Sequence, residues 1–184
     1  MNKKYNNVFV ISGPSGVGKG SLIKGVLKEN TQFKLAISAT TREKRVGEVN
    51  GKDYYFINED QFKQQIKNNN FIEFCEVHGN YYGTLKSELK SNDLNQKIII
   101  EIDTQGVEKI KPFLPATYIF IGPCTKNDLK KRLEIRDTDH PGIISQRLEN
   151  SKKELKKMNN YDYVLINKKL NDSISILSKL LRES

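Results

Sequence analysis

The sequence predicts an α/β protein of three layers, with helices on both faces of a central parallel sheet. Three observations carry that prediction. Apolar runs of strand length recur at Val8–Ile11, Lys97–Asp103, Tyr118–Ile121 and Tyr163–Ile166, with helix-length amphipathic stretches between them. Three consecutive isoleucines, Ile98 to Ile100, leave no polar alternation, as expected of a strand buried on both faces. The first apolar run passes directly into a glycine-rich turn and then a helical stretch.

That turn reads Gly13-Pro14-Ser15-Gly16-Val17-Gly18-Lys19-Gly20-Ser21. Strand, glycine-rich turn and helix in succession are the setting of a phosphate-binding P-loop. Glycines let backbone N–H groups converge on phosphate oxygens, the helix N-terminus adds partial positive charge, and Lys19 adds a full one. These nine residues are candidate contacts to a nucleotide. One position departs from Gly-x-x-x-x-Gly-Lys-[Ser/Thr]: Gly20 stands where a hydroxyl would ligate Mg²⁺, and Ser21 comes one residue late. A glycine-rich turn without a ligand is the plainer alternative.

The remaining elements follow in order. Ser21 to Lys28 has helical periodicity, and Phe33–Ile37 is a short strand. Ser38 to Phe56 is polar, with Arg42 and Arg45 three apart and Gly47 and Gly51 as turn formers, and is expected to fold as a hairpin. Two guanidinium groups held together suit a phosphate, since each donates two parallel hydrogen bonds. A solvated hairpin with both arginines in water is the other reading. Glu59 to Asn68 is expected to be a helix with Phe62 and Ile66 on one face. In Phe71–Val77, alternation separates Phe71 from Phe74 and leaves Glu73 opposite Ile72, Phe74 and Val77. His78 to Thr84 is a turn and short strand, so Ser38 to about Lys90 forms a β-rich insert.

Glu101 and Asp103 close the isoleucine strand at its C-terminal end, where ligands bind in open α/β sheets. Thr104 to Lys111 is a short helix stopped by Pro112, and Gly122-Pro123 ends the next strand. Leu129 to Arg136 is a helix with Arg132 and Arg136 on one face. Residues 137–142 have no apolar anchor and are expected to be mobile. A long amphipathic helix from about Ile143 to Met158 carries Arg147, and a last helix spans Leu170 to Leu181. A single domain is expected, with a core of 1–37, 91–134 and 148–184, an insert of 38–90 and a lid at about 135–147.

The chain's 184 residues are enough for one sizeable core. No run approaches the ~18 apolar residues of a membrane span. Met1 to Tyr5 leads straight into the first strand, so a cytoplasmic protein without a signal peptide is expected. The net charge of +9 fits either a nucleic-acid partner or an enzyme for polyanionic nucleotides. The lysines are dispersed and no tract interleaves aromatics with arginines, which argues against nucleic acid. Cys75 and Cys124 lie far apart in apolar-looking stretches without metal-type spacing, and are expected to be buried free thiols.

From Val8 to Leu181 the chain resembles the guanylate kinases, which move the γ-phosphate of ATP onto GMP. The resemblance is carried by Ser38 to Phe56, by Phe71-Ile72-Glu73, by Gly79 to Thr84, and by Glu101 to Gly106. A P-loop names only a superfamily; these four stretches in this order name the family. The resemblance implies a P-loop NTPase-type fold with a GMP-binding insert and a small helical lid. It implies that Arg42, Arg45, Tyr54 and Tyr82 hold the GMP phosphate, and that Ser38, Glu73 and Thr84 read guanine with Asp103 nearby. The chemistry agrees: guanine offers N1–H and N2–H₂ as adjacent donors that one carboxylate can accept, whereas adenine presents an acceptor at N1. A buried polar group left unpaired discriminates strongly.

The resemblance also implies that Lys19, Arg132, Arg136 and Arg147 are catalytic, the arginines closing from the lid. The P-loop and Asn167 would hold ATP, although Lys168-Lys169 follows Asn167 where the family commonly has an acidic pair. Mg²⁺ would enter with ATP and be held mainly by phosphates and water rather than by protein ligands, with Glu101 or Asp103 near its water shell. ATP and GMP are the expected substrates, with dGMP also accepted. No nucleic-acid or membrane partner is expected, and the protein would be a monomer or weak homo-oligomer. Guanylate-kinase-like modules that bind phosphorylated peptides without catalysis share the insert but typically lose the P-loop and lid residues; this chain keeps Lys19 and all three lid arginines. A kinase for another monophosphate is opposed mainly by Glu73.

Overall fold

The computed structural model describes residues 7–77, 79–90, 95–135 and 141–184. In chain order its elements are β1 (Val8–Ser12), α1 (Lys19–Glu29), β2 (Phe33–Leu35), β3 (Ser38–Thr40), β4 (Tyr55–Phe56), α2 (Glu59–Lys67), β5 (Phe71–Val77) and β6 (Asn80–Leu85). After a 3-10 turn (Lys86–Leu89) come β7 (Lys97–Glu101), α3 (Thr104–Ile110), β8 (Thr117–Pro123), α4 (Lys126–Ile135), α5 (Pro141–Leu155), β9 (Tyr163–Asn167) and α6 (Leu170–Glu183).

Five strands form a parallel sheet in the order β2-β7-β1-β8-β9. Its residues alternate between two cores. Phe9, Ile11, Ile99, Ile119 and Ile121 pack with Leu22, Ile23 and Val26 of α1 and Leu177 and Leu181 of α6. Val8, Val10, Ile98 and Ile100 pack with Val107 and Ile110 of α3 on the other face. Both faces are therefore covered, which is why these strands read as unbroken apolar runs. Among the described residues, no helix is long and apolar enough to cross a membrane.

A second sheet, in the order β4-β3-β6-β5, carries the stretch expected as the β-rich insert. Here three expectations are corrected. The arginine-bearing segment is not a hairpin: β4 returns parallel to β3, with Ala39 opposite Tyr55 and Thr40 opposite Phe56. A wide loop carries the chain back to the starting end of β3. Phe71 and Phe74 share a face, because the pairing with β6 slips by one residue between Phe71 and Glu73. Phe71, Phe74, Tyr81, Leu85 and Ala39 pack around Phe62 of α2. Glu73, Cys75 and Val77 fall on the opposite face, in register with Thr84, Tyr82 and Asn80. Finally, Cys75 is buried but Cys124 is exposed, just past the end of β8.

Helix α2 starts as its sequence dictates. Asn58 caps it and exchanges side-chain bonds with Gln61, while Glu59 and Asp60 occupy the first turn. This holds Phe62 against the insert sheet and leaves that sheet's other face toward the core.

Candidate active site

The P-loop runs from the end of β1 into α1. Gly13 has φ +146°, and a Cβ there would lie 2.2 Å from the Ile121 carbonyl oxygen of β8. Gly18, the residue before α1, has φ +96°, and a Cβ there would meet Asn167 Nδ2 at 2.8 Å. Only glycine fits either position without strain. Lys19 reaches back over the loop, donating to the Gly13 carbonyl at 2.7 Å and the Pro14 carbonyl at 3.3 Å.

The Val17 carbonyl takes two donors, Arg132 Nη1 and Asn167 Nδ2, each at 2.8 Å. Arg132 Nη2 also reaches the Asn167 carbonyl at 3.3 Å. Helix α4, the end of β9 and the P-loop are thereby tied at one point. Asn167 is buried, and its Oδ1 has no hydrogen-bond partner among the described residues. Glu154 on α5 accepts the Ser15 backbone N–H. Burial raises its carboxyl above the ordinary value, while Lys19 pulls it back. Arg147 is half-buried on α5; Arg136 lies outside the described residues. Glu101 Oε2 is 3.7 Å from where a Cβ on Gly20 would stand, and Ser21 is exposed on α1.

On the insert, one rung crosses three strands. Register sets Ser38 beside Thr84, and Thr84 beside Glu73. Ser38 Oγ is 3.4 Å from Thr84 Oγ1. Glu73 Oε1 accepts both the Thr84 hydroxyl at 2.9 Å and the Thr84 N–H at 3.1 Å. Glu73 Oε2 faces the start of α3, 3.0 Å from where a Cβ on Gly106 would stand. Asp103 is the N-cap of α3: its Oδ1 accepts the Gly106 N–H at 2.7 Å and its Oδ2 the Cys75 thiol at 3.4 Å. Burial first, then the neighbouring Asp103 charge, push Glu73 up to about 7 against the two bonds from Thr84.

Farther along the same face, Arg42, Tyr54 and Tyr82 gather. The Arg42 guanidinium lies over the rings of Tyr54 and Phe56, at 5.6 and 5.7 Å from their centroids, and the Tyr54 and Tyr82 rings are 6.1 Å apart. Arg42 Nη2 donates to both oxygens of Glu48, at 2.7 and 3.0 Å. Glu48 also accepts the Arg45 backbone N–H at 2.8 Å, and these bonds keep its carboxyl below the ordinary range despite partial burial. Arg45 is exposed, and it joins the Arg42–Glu48 pair through its backbone N–H. Burial, then the charge of Glu101 across the cleft, push the Tyr54 phenol up to about 12.

The structure thus brings together Lys19, Arg132 and Asn167 at one end, and Ser38, Glu73, Thr84 and Asp103 at another, with Arg42, Tyr54 and Tyr82 beside them. Sequence reading missed Glu48 and Glu154. Glu48 carries one signal in retrospect, an acid within reach of two arginines in a glycine-flanked loop. Glu154 carries none, because its partners are 139 and 135 residues away in the chain, at Ser15 and Lys19.

Comparison with known proteins gives one consistent result. The family model described as guanylate kinase matches residues 5–184. A guanylate kinase of Fusobacterium nucleatum is 45% identical over 176 residues, covering 92% of this chain and 95% of that protein. One of Prochlorococcus marinus is 39% identical over 97% of this chain and 98% of that protein. The crystal structure of guanylate kinase from Anaplasma phagocytophilum superposes with a TM-score of 0.80 at 29% identity, covering 98% of this chain and 87% of that one.

Proposed function

The chain belongs to the guanylate kinase family, and from that membership we infer how its own residues move the γ-phosphate of ATP onto GMP, giving ADP and GDP. ATP and GMP are its substrates. An oxygen of the GMP phosphate attacks the γ-phosphorus; the bond to the β-phosphate oxygen breaks in line, and ADP departs with that electron pair. The GMP phosphate is anionic at neutral pH, so no base has to be recruited. The protein's task is to bring two polyanions together and neutralise charge spread over the phosphate oxygens.

Gly13 to Ser21 cradle the ATP phosphates, and Lys19 exchanges its two carbonyl acceptors for phosphate oxygens. Arg132 adds cationic charge from α4 on the lid side, where its bonds to Val17 and Asn167 support a place at the P-loop mouth, and Arg136 and Arg147 add theirs from the lid, 135–147, as it closes. The orphaned Asn167 Oδ1 supports an adenine contact, since the exocyclic amine of adenine supplies the missing donor. The insert, 38–90, holds GMP: Arg42, Arg45, Tyr54 and Tyr82 at its phosphate, Ser38, Glu73 and Thr84 at its base, with Asp103 behind Glu73. Mg²⁺, arriving with ATP, would offset phosphate charge. The residues present suit it, because Gly20 leaves room and the Glu101 carboxylate faces that room to accept from a metal-bound water shell. The enzyme works in the cytoplasm as a monomer or weak homo-oligomer.

The observation that carries base recognition is the rung Ser38–Thr84–Glu73. Thr84 fills one face of the carboxylate and orients it, and burial removes competing water. The proposed contacts engage base and phosphate and none needs the 2′-hydroxyl, so dGMP is accepted as well. A coupled ADP-release assay with ATP and each of GMP, dGMP, AMP, CMP and UMP tests this reading. Activity confined to GMP and dGMP is expected; comparable activity with AMP would remove Glu73 from base selection.

A further inference from the structure

The insert is joined to the core by two crossings. The outgoing link is Ala36–Ile37, between β2 and β3; the return runs through the 3-10 turn after β6. One carboxylate spans them. Glu88 sits on the return turn and is 7% exposed. Its Oε2 accepts the Ile37 backbone N–H at 3.0 Å, and its Oε1 accepts the Tyr55 hydroxyl at 3.1 Å. Lys34 on β2 brings its Nζ to 3.6 Å from Oε2.

These partners come from a core strand, the outgoing link and an insert strand. A buried carboxylate is tolerated only where its oxygens are filled. Filling both oxygens of Glu88 therefore requires β2, the link, the return turn and β4 to hold one mutual arrangement. The two hydrogen-bonded residues, Ile37 and Tyr55, each adjoin a proposed GMP contact. Ile37 precedes Ser38, the first member of the base-reading rung. Tyr55 packs on the α2 side of the sheet, so its neighbour Tyr54 faces the cleft, beneath the Arg42 guanidinium.

We propose that Glu88 is a positioning residue for GMP phosphorylation: by clamping the outgoing link, the return turn and β4, it sets the orientation in which the insert presents Ser38 and Tyr54 to GMP. This deepens the reading of the insert as the GMP site and rests on it. Glu88 meets neither substrate; it acts through Ile37 and Tyr55. Its loss should be felt by GMP and not by ATP, whose P-loop lies on the rigid sheet.

The test measures kcat, KM for GMP, KM for ATP and Tm for the wild type, E88A, E88Q, Y55F and the E88A/Y55F double variant. E88A is expected to raise KM for GMP about tenfold and Y55F about threefold, the scale of losing two and one buried bonds, with KM for ATP within about twofold. The double variant should be no worse than E88A, because the Tyr55 bond is already lost there. E88Q should recover part of the loss, since its amide oxygen still accepts one bond. Where E88A does not fold, Y55F and E88Q decide. If Y55F and E88Q lower Tm but leave KM for GMP within error, or raise both KM values together, Glu88 is structural only. Wild-type protein unable to bind GMP would overturn the reading of the insert and this role with it; GMP-active wild type with unmoved variants overturns the role of Glu88 alone.

Discussion

The two proposed nucleotide sites are built from different materials. The P-loop is a contiguous stretch whose groups are largely backbone, shaped by glycines of which Gly13 and Gly18 leave no space for a side chain. The insert is a constellation of side chains from β3, β5, β6 and the loop between β3 and β4, brought together by register and by one slipped pairing. On the proposed reading the first binds what all nucleoside triphosphates share. The second must tell one base from another, and backbone dipoles alone offer too little variety for that task. The difference also sets their electrostatics. Lys19 rests on neutral carbonyls, while Arg42 rests on Glu48, an anion already occupying part of its donor set.

The contrast can be tested, beginning with the largest effect. Lys19→Ala should lower kcat by about 10²–10³-fold while the Kd for GMP, read by calorimetry, stays within about twofold. A matching loss of GMP affinity would mean that the two sites are not separable. Glu73→Gln should lower kcat/KM for GMP by about 10²-fold and raise the AMP/GMP activity ratio, because an amide turns a donor toward guanine donors.

On the proposed reading, Glu73 also makes GMP binding sensitive to pH. Guanine's two donors need the carboxylate, and that carboxyl holds its proton up to about 7. KM for GMP should rise about tenfold per pH unit below 7 and level above it, and Glu73→Gln should reduce that slope. The stability effect follows from the raised value in the folded protein. The contribution of Glu73 is full below its unfolded pKa and is lost as pH rises through about 7. Relative to Glu73→Gln, the wild type should lose about 3 kcal/mol between pH 4 and pH 8, read from urea unfolding at each pH. The smallest effect is at Glu48. Glu48→Gln keeps one acceptor for Arg42 but removes the charge that holds the loop, and should raise KM for GMP about threefold without moving KM for ATP.

Much of the core was legible because its signals are local. Ile98 to Ile100 report burial on both faces, and the P-loop carries its glycines, lysine and helix start within nine residues. The insert was legible only in part. Gly47 and Gly51 suggest turns, but they do not say whether β4 comes back antiparallel or swings round to pair parallel with β3. Strict alternation misplaces Phe71 relative to Phe74, because the pairing slips after Phe71, so that Phe71 faces Leu85 and Glu73 faces Thr84. Cys124 looked buried because it follows Ile119 to Ile121, yet it lies past the end of β8 and is exposed.

By itself the sequence determined the α/β class and singled out the candidate phosphate cradle and the candidate base-reading acid, because each is written in contiguous residues or in a period that neighbouring residues share. The tertiary structure alone decided that Glu48 pairs with Arg42, that Glu154 meets Ser15, that Asp103 caps α3 beneath Cys75, and that Glu88 joins Ile37 to Tyr55. A carboxylate has several possible donors within reach in an unfolded chain. Which donors it meets depends on strand register and burial, and those are properties of the assembled fold rather than of any stretch within it.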